Sequence, residues 1–282
     1  GFAEDYYTIR YDTKGNVVWE ARTDGGAKGK DIPRAITVDS SANVYVTGVS
    51  QADGSSTNYL TVKYSNLGKE VWKRKYNGSV SGSDDAQALV LNSSGRYLYV
   101  VGNSDGISKM KDIAVVRYDT TNGNSQVARY DGKAHKDDTA RGIAIDKDGN
   151  VWIVGTTQSV GNKSDIITLK FSKDLNQLKA LIYDNSATHL SDQGNAIAVD
   201  NRGYIWVTGH TTNKDGTTDL IVIQYTLAGN INQIGIFDGP ANKDDAGTSI
   251  VIDANGDAYV VGYTTGIGQN FDFLIAKFNR NY

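Results

Sequence analysis

The chain has no cysteine, which excludes disulfides, thiolate metal sites and cysteine nucleophiles. Proline occurs twice and methionine once, and the only glutamates are Glu4, Glu20 and Glu70. With all three in the first quarter of the chain, no repeat shows the unique acid pair that glycoside hydrolysis requires. Neither sign of charge dominates: 29 Lys and Arg stand against 32 Asp and Glu, for a net charge of -3. That balance lacks the basic footprint of a nucleic-acid binder. No apolar run approaches the ~18 residues of a membrane-spanning helix, so membrane insertion is not expected. No stretch keeps an amphipathic helical period over three turns.

What the chain does have is 31 Gly, 17 Tyr and many Ser, Thr and Asn, the composition of short strands joined by turns. One signature occurs five times: Tyr45-Val46-Thr47-Gly48, Tyr99-Val100-Val101-Gly102, Trp152-Ile153-Val154-Gly155, Trp206-Val207-Thr208-Gly209 and Tyr259-Val260-Val261-Gly262. Its glycines are 54, 53, 54 and 53 residues apart. A second series opens a short strand at Asp5, Asn58, Asp112, Asp165, Asp219 and Asp272, in the same steps.

Each unit reads as four strands. Strand A is exemplified by Ala35 to Asp39 and Ala196 to Asp200, and strand B is the signature. Strand C is exemplified by Tyr59 to Tyr64 and strand D by Glu70 to Tyr76. Asp148-Gly149 reads as a two-residue hairpin between A and B, with Gly supplying the positive φ. Four antiparallel strands at this period are the signature of a propeller blade. The chain begins with C and D and ends with a sixth C. We therefore expect one all-β domain over residues 1–282, a five-bladed β-propeller of four-stranded antiparallel blades. The N-terminal strands would close it, one strand C would be surplus, and a six-bladed ring ranks second.

The motifs Asp5 to Tyr11, Gly15 to Trp19, Asp31 to Asp39 and Asn43 to Gly48 together resemble the SBBP-type β-propeller repeat. The resemblance covers essentially the whole chain. It implies a protein secreted by, or displayed on, bacterial or archaeal cells, hence an extracellular or cell-surface location. One departure is that the strand D tryptophans, Trp19 and Trp72, are replaced by Gln126, Lys179 and Gln233 in later repeats.

The candidate ligand-binding residues are the acids that open strand A: Asp31, Asp84, Asp138, Asp192 and Asp245. With A innermost, they would ring the mouth of a central channel. Two roles fit them. Each acid accepts backbone N–H bonds and fixes the loop from D to A, or the ring holds a metal ion or ligand hydroxyls. No cofactor is required, and Ca²⁺ is the ion such acids would take. Bases near the end of strand C (Arg10, Lys63, Arg117, Lys170 and Lys277) lie too low for this ring and face Asp39, Asn92, Asp146, Asp200 and Asp253 instead. The signature aromatics fit blade packing better than sugar stacking. His135, His189 and His210 read as solvated loop residues rather than zinc ligands. Asp146 to Asn150 starts like a calcium loop but lacks its twelfth-position acid, and a hairpin turn explains it.

Function is expected to be extracellular binding or scaffolding without catalysis, toward a glycan or protein partner on the top face. The loops from B to C (49–57, 103–111, 156–164, 210–218 and 263–271) vary while the strands repeat. The alternative is a carbohydrate-active enzyme, a glycosidase or lyase on a propeller scaffold.

Overall fold

In the computed structural model, which describes residues 4–26, 29–52, 56–80, 82–161, 163–268 and 270–279, the repeats become antiparallel sheets, with no helix among the described residues. The chain divides into two compact units, Gly1–Asp131 and Gly132–Tyr282. The first contains a two-stranded sheet of β1 (Tyr6–Tyr11) and β2 (Val17–Thr23). A four-stranded sheet follows: β3 (Asp31–Val38), β4 (Val44–Gln51), β5 (Thr57–Tyr64) and β6 (Glu70–Tyr76). Its second four-stranded sheet is β7 (Asp84–Leu91), β8 (Tyr97–Asp105), β9 (Lys111–Asp119) and β10 (Ser125–Tyr130).

The second unit opens with β11 (Asp138–Ile145), β12 (Val151–Gln158), β13 (Ser164–Phe171) and β14 (Gln177–Tyr183). Next come β15 (Gln193–Val199), β16 (Ile205–Thr212), β17 (Thr218–Tyr225) and β18 (Ile231–Phe237). It ends with β19 (Asp245–Ile252), β20 (Ala258–Thr265) and β21 (Phe271–Phe278). Strand order within each sheet is chain order, as the A-B-C-D reading requires.

The expected closure is not the pairing observed. Strands β19, β20 and β21 form a three-stranded sheet, while β1 pairs with β2 alone. The physical reason lies in the first unit. The β1–β2 hairpin satisfies itself locally, and Tyr6 is fully buried among Val44, Val46, Leu60 and Val62 of the next sheet. Its hydroxyl donates to the Leu60 carbonyl at 3.1 Å.

Strands B and C carry the core. All but the last residue of β4 is buried, whereas β14 and β18 are largely exposed or half-buried. Within each unit, the strands flanked by two sheets, β4 and β5 in the first and β16 and β17 in the second, are buried along almost their whole length, with apolar side chains on both faces. In the first unit Tyr45, Trp72 and Tyr118 form a ladder, with Trp72 stacked on Tyr118 at 5.8 Å. In the second, Trp152 is buried with Ile205, Val207 and Ile221. Trp206 is buried with Val260 and Leu274. Burying one such aliphatic side chain contributes roughly 1.5–3 kcal/mol.

The signature glycine is explained by what it faces. Every A–B pair has a β-bulge in strand A, between Pro33 and Ala35, Ala86 and Ala88, Ala140 and Gly142, Gly194 and Ala196, and Gly247 and Ser249. The bulge drives a carbonyl toward strand B. A Cβ on Gly155, Gly209 or Gly262 would lie 1.8 Å from the oxygen of Thr139, Gln193 or Ala246. Only glycine fits there.

The A–B turn corrects the two-residue reading. Asp146 N–H bonds the Asn150 carbonyl and Gly149 N–H the Asp146 carbonyl, each at 2.9 Å. With Gly149 at φ 82°, this is a three-residue loop in which the glycine follows the turn.

Candidate functional site

The five acids stand where strand A begins: four open β3, β7, β11 and β19, and Asp192 directly precedes β15. None is more than 2% exposed. One carboxylate oxygen of each accepts a peptide N–H from the preceding loop. The donors are Gly25 to Asp31 (2.6 Å), Gly78 to Asp84 (2.8 Å), Gly132 to Asp138 (2.5 Å), Asn185 to Asp192 (2.9 Å) and Gly239 to Asp245 (2.7 Å). The loop-fixing role is therefore observed directly.

A partner set had been missed. Two residues after every signature glycine stands a hydroxyl: Ser50, Ser104, Thr157, Thr211 and Thr264. Four of them pair across strands with their acid, Asp31 with Ser50, Asp84 with Ser104, Asp138 with Thr157 and Asp245 with Thr264. Thr157 donates to Asp138 at 2.5 Å and Thr211 to Asp192 at 2.6 Å. The signal was legible as an extension of the signature to aromatic-x-x-Gly-x-Ser/Thr.

The second Asp series lands beside the first. Among the described residues, in three places a strand C acid, an acid just past strand D and the acid opening the next strand A each offer an oxygen within 4.8 Å of the others. These are Asp5–Asp24–Asp31, Asp165–Asp184–Asp192 and Asp219–Asp238–Asp245. Burial pushes the Asp165 carboxyl up to about 6, with the charges of Asp184 and Asp192 adding to it and His189 opposing. Asp219 is raised chiefly by burial, which the Asn213 side-chain amide partly offsets. At the Asp84 position the other two residues are Asn58 and Asn77. There Arg129 donates to Ser104, to the Tyr76 hydroxyl and, at 2.7 Å, to Asp112. Burial raises the Asp84 carboxyl too, while Ser104, the Gly78 N–H and Arg129 pull it back.

The signature aromatics are packed, not presented. Tyr45, Tyr99, Trp152 and Trp206 are at most 1% exposed, and Tyr259 is half-buried. Their tips bond the acid that ends strand A: Tyr45 to Asp39 (3.0 Å), Trp152 to Asp146 (2.9 Å) and Trp206 to Asp200 (3.2 Å). The bases of strand C depart from expectation. Lys170 does reach Asp146, at 3.7 Å. Lys63 donates to the Thr120 carbonyl, Lys277 pairs with Asp257, Arg10 bonds the Asn66 carbonyl and Arg117 bonds Gln126. Being cross-strand partners of the aromatics, Lys63, Lys170 and Lys277 instead lie over the rings of Tyr45, Trp152 and Tyr259 at 4.8–5.3 Å.

Asp146 Oδ1 accepts the N–H groups of Asp148 and Asn150, so the apparent calcium loop is a closed turn. His189 Nδ1 lies 2.6 Å from Asp184. His210 belongs to β16 rather than a loop, and burial depresses its pKa. Among the described residues no metal-sized grouping contains a histidine.

Four segments, residues 25–54, 128–162, 187–216 and 231–271, match the beta-propeller repeat SBBP. No curated protein sequence matches the chain. Among solved structures the chain is similar to a Dyadobacter fermentans protein of unknown function: 10% identity, 88% of this chain and 75% of that one, TM-score 0.56. A Bacteroides caccae protein of unknown function shows 11% identity over 93% of this chain and 84% of that one, TM-score 0.53. A GH43 beta-1,3-galactosidase solved with galactodeoxynojirimycin shows 12% identity over 97% of this chain and 95% of that one, TM-score 0.50. At such identities the likeness is one of fold. It nevertheless corrects the expectation that the chain is not an enzyme, since a glycosidase shares the architecture along nearly its whole length. Scarce glutamate and near-symmetric repeats do not exclude catalysis on this fold.

Proposed function

We propose that this chain, whose repeats belong to the SBBP β-propeller repeat family, is a binding scaffold whose sheets hold out the B-to-C loops toward a protein partner. The observation that carries this reading is a recurring apolar loop tip. Ile107, Val160 and Ile267 each lie five residues after a signature glycine and are 93%, 83% and 86% exposed. The equivalent residue is Lys214 in a fourth loop, and in the first it falls in 53–55, outside the described residues. Single exposed aliphatics are ordinary. Three at one register of a repeat are different, because they add nothing to the core of the unit that carries them. Covering one against a partner would contribute roughly 1.5–3 kcal/mol.

The loops are held at their base, since the acid opening each strand A ties down the loop beside them. A rigid base lowers the entropy lost on binding. Aliphatic tips suit a protein surface better than a sugar, which favours an aromatic platform, and the recurring aromatics are consumed in packing. The family resemblance supports an extracellular or cell-surface setting.

The test is selection of a phage-displayed random peptide library on the intact chain and on a variant with Ile107→Ser, Val160→Ser and Ile267→Ser. An apolar consensus enriched on the wild type and lost on the variant is expected. The reading fails if both enrich the same peptides or neither enriches any. A glycan bound equally by both on an array also overturns it.

A further inference from the structure

Buried carboxylates need donors or cations, and the repeats meet this need differently from one seam between sheets to the next. Where strand A opens at Asp192, three donors satisfy the carboxylate and His189 stands on Asp184. Where it opens at Asp84, two acids are replaced by asparagines and the Arg129 guanidinium reaches the partner Ser104. At Asp5–Asp24–Asp31, Arg22 forms an ion pair with Asp5, although Asp31 Oδ1 and the Ser50 hydroxyl stay buried without a partner, as does Asp84 Oδ1 at its own seam.

The seam at Asp219–Asp238–Asp245 has no such provision. Among the described residues no Lys, Arg or His forms an ion pair with these three, although one oxygen from each lies within 4.8 Å of the others. Asp245 is 1% exposed, and its Oδ2 takes the Gly239 N–H while its Oδ1 accepts no hydrogen bond. The hydroxyl of its cross-strand partner Thr264 is also buried without a partner. Both orphan oxygens crowd the same point: a Cβ on Gly239 would lie 2.3 Å from Thr264 Oγ1 and 2.8 Å from Asp245 Oδ1. Asp219 receives a single side-chain donor, Asn213 Nδ2 at 2.8 Å. A carboxylate oxygen held from water with nothing to accept is costly, and a cation removes that cost.

We propose that Asp219, Asp238, Asp245 and the Thr264 hydroxyl form a binding site for a hard divalent cation, Ca²⁺. The donor set is all oxygen, which disfavours zinc and copper. Three carboxylates and a hydroxyl leave room for waters to complete the six to eight ligands that Ca²⁺ takes, in a geometry looser than the octahedron Mg²⁺ demands. The ion would clamp strand C and the end of strand D of one sheet to the strand A of the next. It goes beyond the loop-tip reading and does not depend on it.

The test is calorimetric titration of the chelator-treated chain with CaCl₂, together with its melting temperature. Wild type is expected to bind Ca²⁺ and to melt several degrees higher in millimolar Ca²⁺. Asp238→Asn alters an exposed residue that no fold contact requires, so it should fold and bind at least ~10-fold more weakly. Thr264→Val should weaken binding without changing charge. Asp24→Asn, at the Arg22-paired seam, should leave the Asp245 site intact. The proposal is overturned if Asp238→Asn keeps the full shift, if Mg²⁺ at equal ionic strength reproduces it, or if neither heat nor melting temperature responds to Ca²⁺.

Discussion

Asp192→Ala is the most direct measure of what the recurring acids do. Its carboxylate receives the Asn185 N–H at 2.9 Å, the Thr211 hydroxyl at 2.6 Å and the Thr212 N–H at 3.2 Å. Truncation strands two peptide donors, each costing about 1–3 kcal/mol if left unmet. Asn185 and Thr212 are half-buried, so entering water relieves part of this, and the expected loss is about 3 kcal/mol. Asp192→Asn keeps one acceptor oxygen and should lose about half as much. With two compact units, a single unfolding curve need not be two-state. The assay is therefore native-state hydrogen exchange at the Asn185 and Thr212 amides, beside urea unfolding read by tryptophan fluorescence. Both amides should lose protection in Asp192→Ala, Asn185 most of all. A loss below ~1 kcal/mol, or unchanged protection, would refute the view that these acids hold their loops.

Three further predictions follow from neighbouring contacts. Asp165, raised to about 6 when folded against an ordinary value of 3.8, binds its proton more tightly in the native state. Its contribution to stability is thus full below about pH 4 and lost as pH rises through about 6. Asp165→Asn should raise the melting temperature at pH 7 but not at pH 4, and an equal rise at both would discredit the charge clustering. Gly209→Ala places a Cβ 1.8 Å from the Gln193 carbonyl, so the bulge must move. A loss of roughly 1–3 kcal/mol or more is expected, and near-neutral urea unfolding would contradict it. Arg129→Met strips Ser104, Tyr76 and Asp112 of their shared donor and should cost roughly 3 kcal/mol. Adding Asp112→Asn should recover part of that, and a strictly additive double-mutant cycle would argue against the pair.

Much of this fold was legible because recurrence amplifies weak signals. One Tyr-Val-Thr-Gly tetrapeptide says little, but five at a fixed step locate strand B in every repeat and align the rest. Periodicity could not reveal the partner of each strand at the ends of the chain. Strands β1 and β21 are both C strands by sequence, and which neighbour each takes depends on packing. Tyr6 settles one case by burying against Leu60 and Val62. The two-residue hairpin failed for a related reason: Asp-Gly fixes a positive φ at Gly149, but the closing pair is chosen by the Asp146 side chain. The bases of strand C were placed at the right height: Lys170 meets both the Trp152 ring and its expected Asp146, while Lys63 and Lys277 lie over their rings and bond other groups.

The acids were found as a series but not as clusters, because each cluster mixes three series from two adjacent sheets. Strands A and C run in the same direction, so residues opening both lie along one edge, and Asp219 and Asp245 meet there. What then separates the seams is departure from the repeat. Asn58 and Asn77 replace two acids where Arg129 enters, and His189 Nδ1 lies against Asp184. These substitutions behave as local answers to one electrostatic problem, the crowding of carboxylates between sheets. The Asp245 seam keeps all its acids and, among the described residues, pairs none of them with a basic side chain; it has two unbonded buried oxygens, as does the Asp31 seam, where Arg22 pairs with Asp5. A bound cation would solve the same problem there, and the strict repeat positions around it explain why composition alone could not single it out.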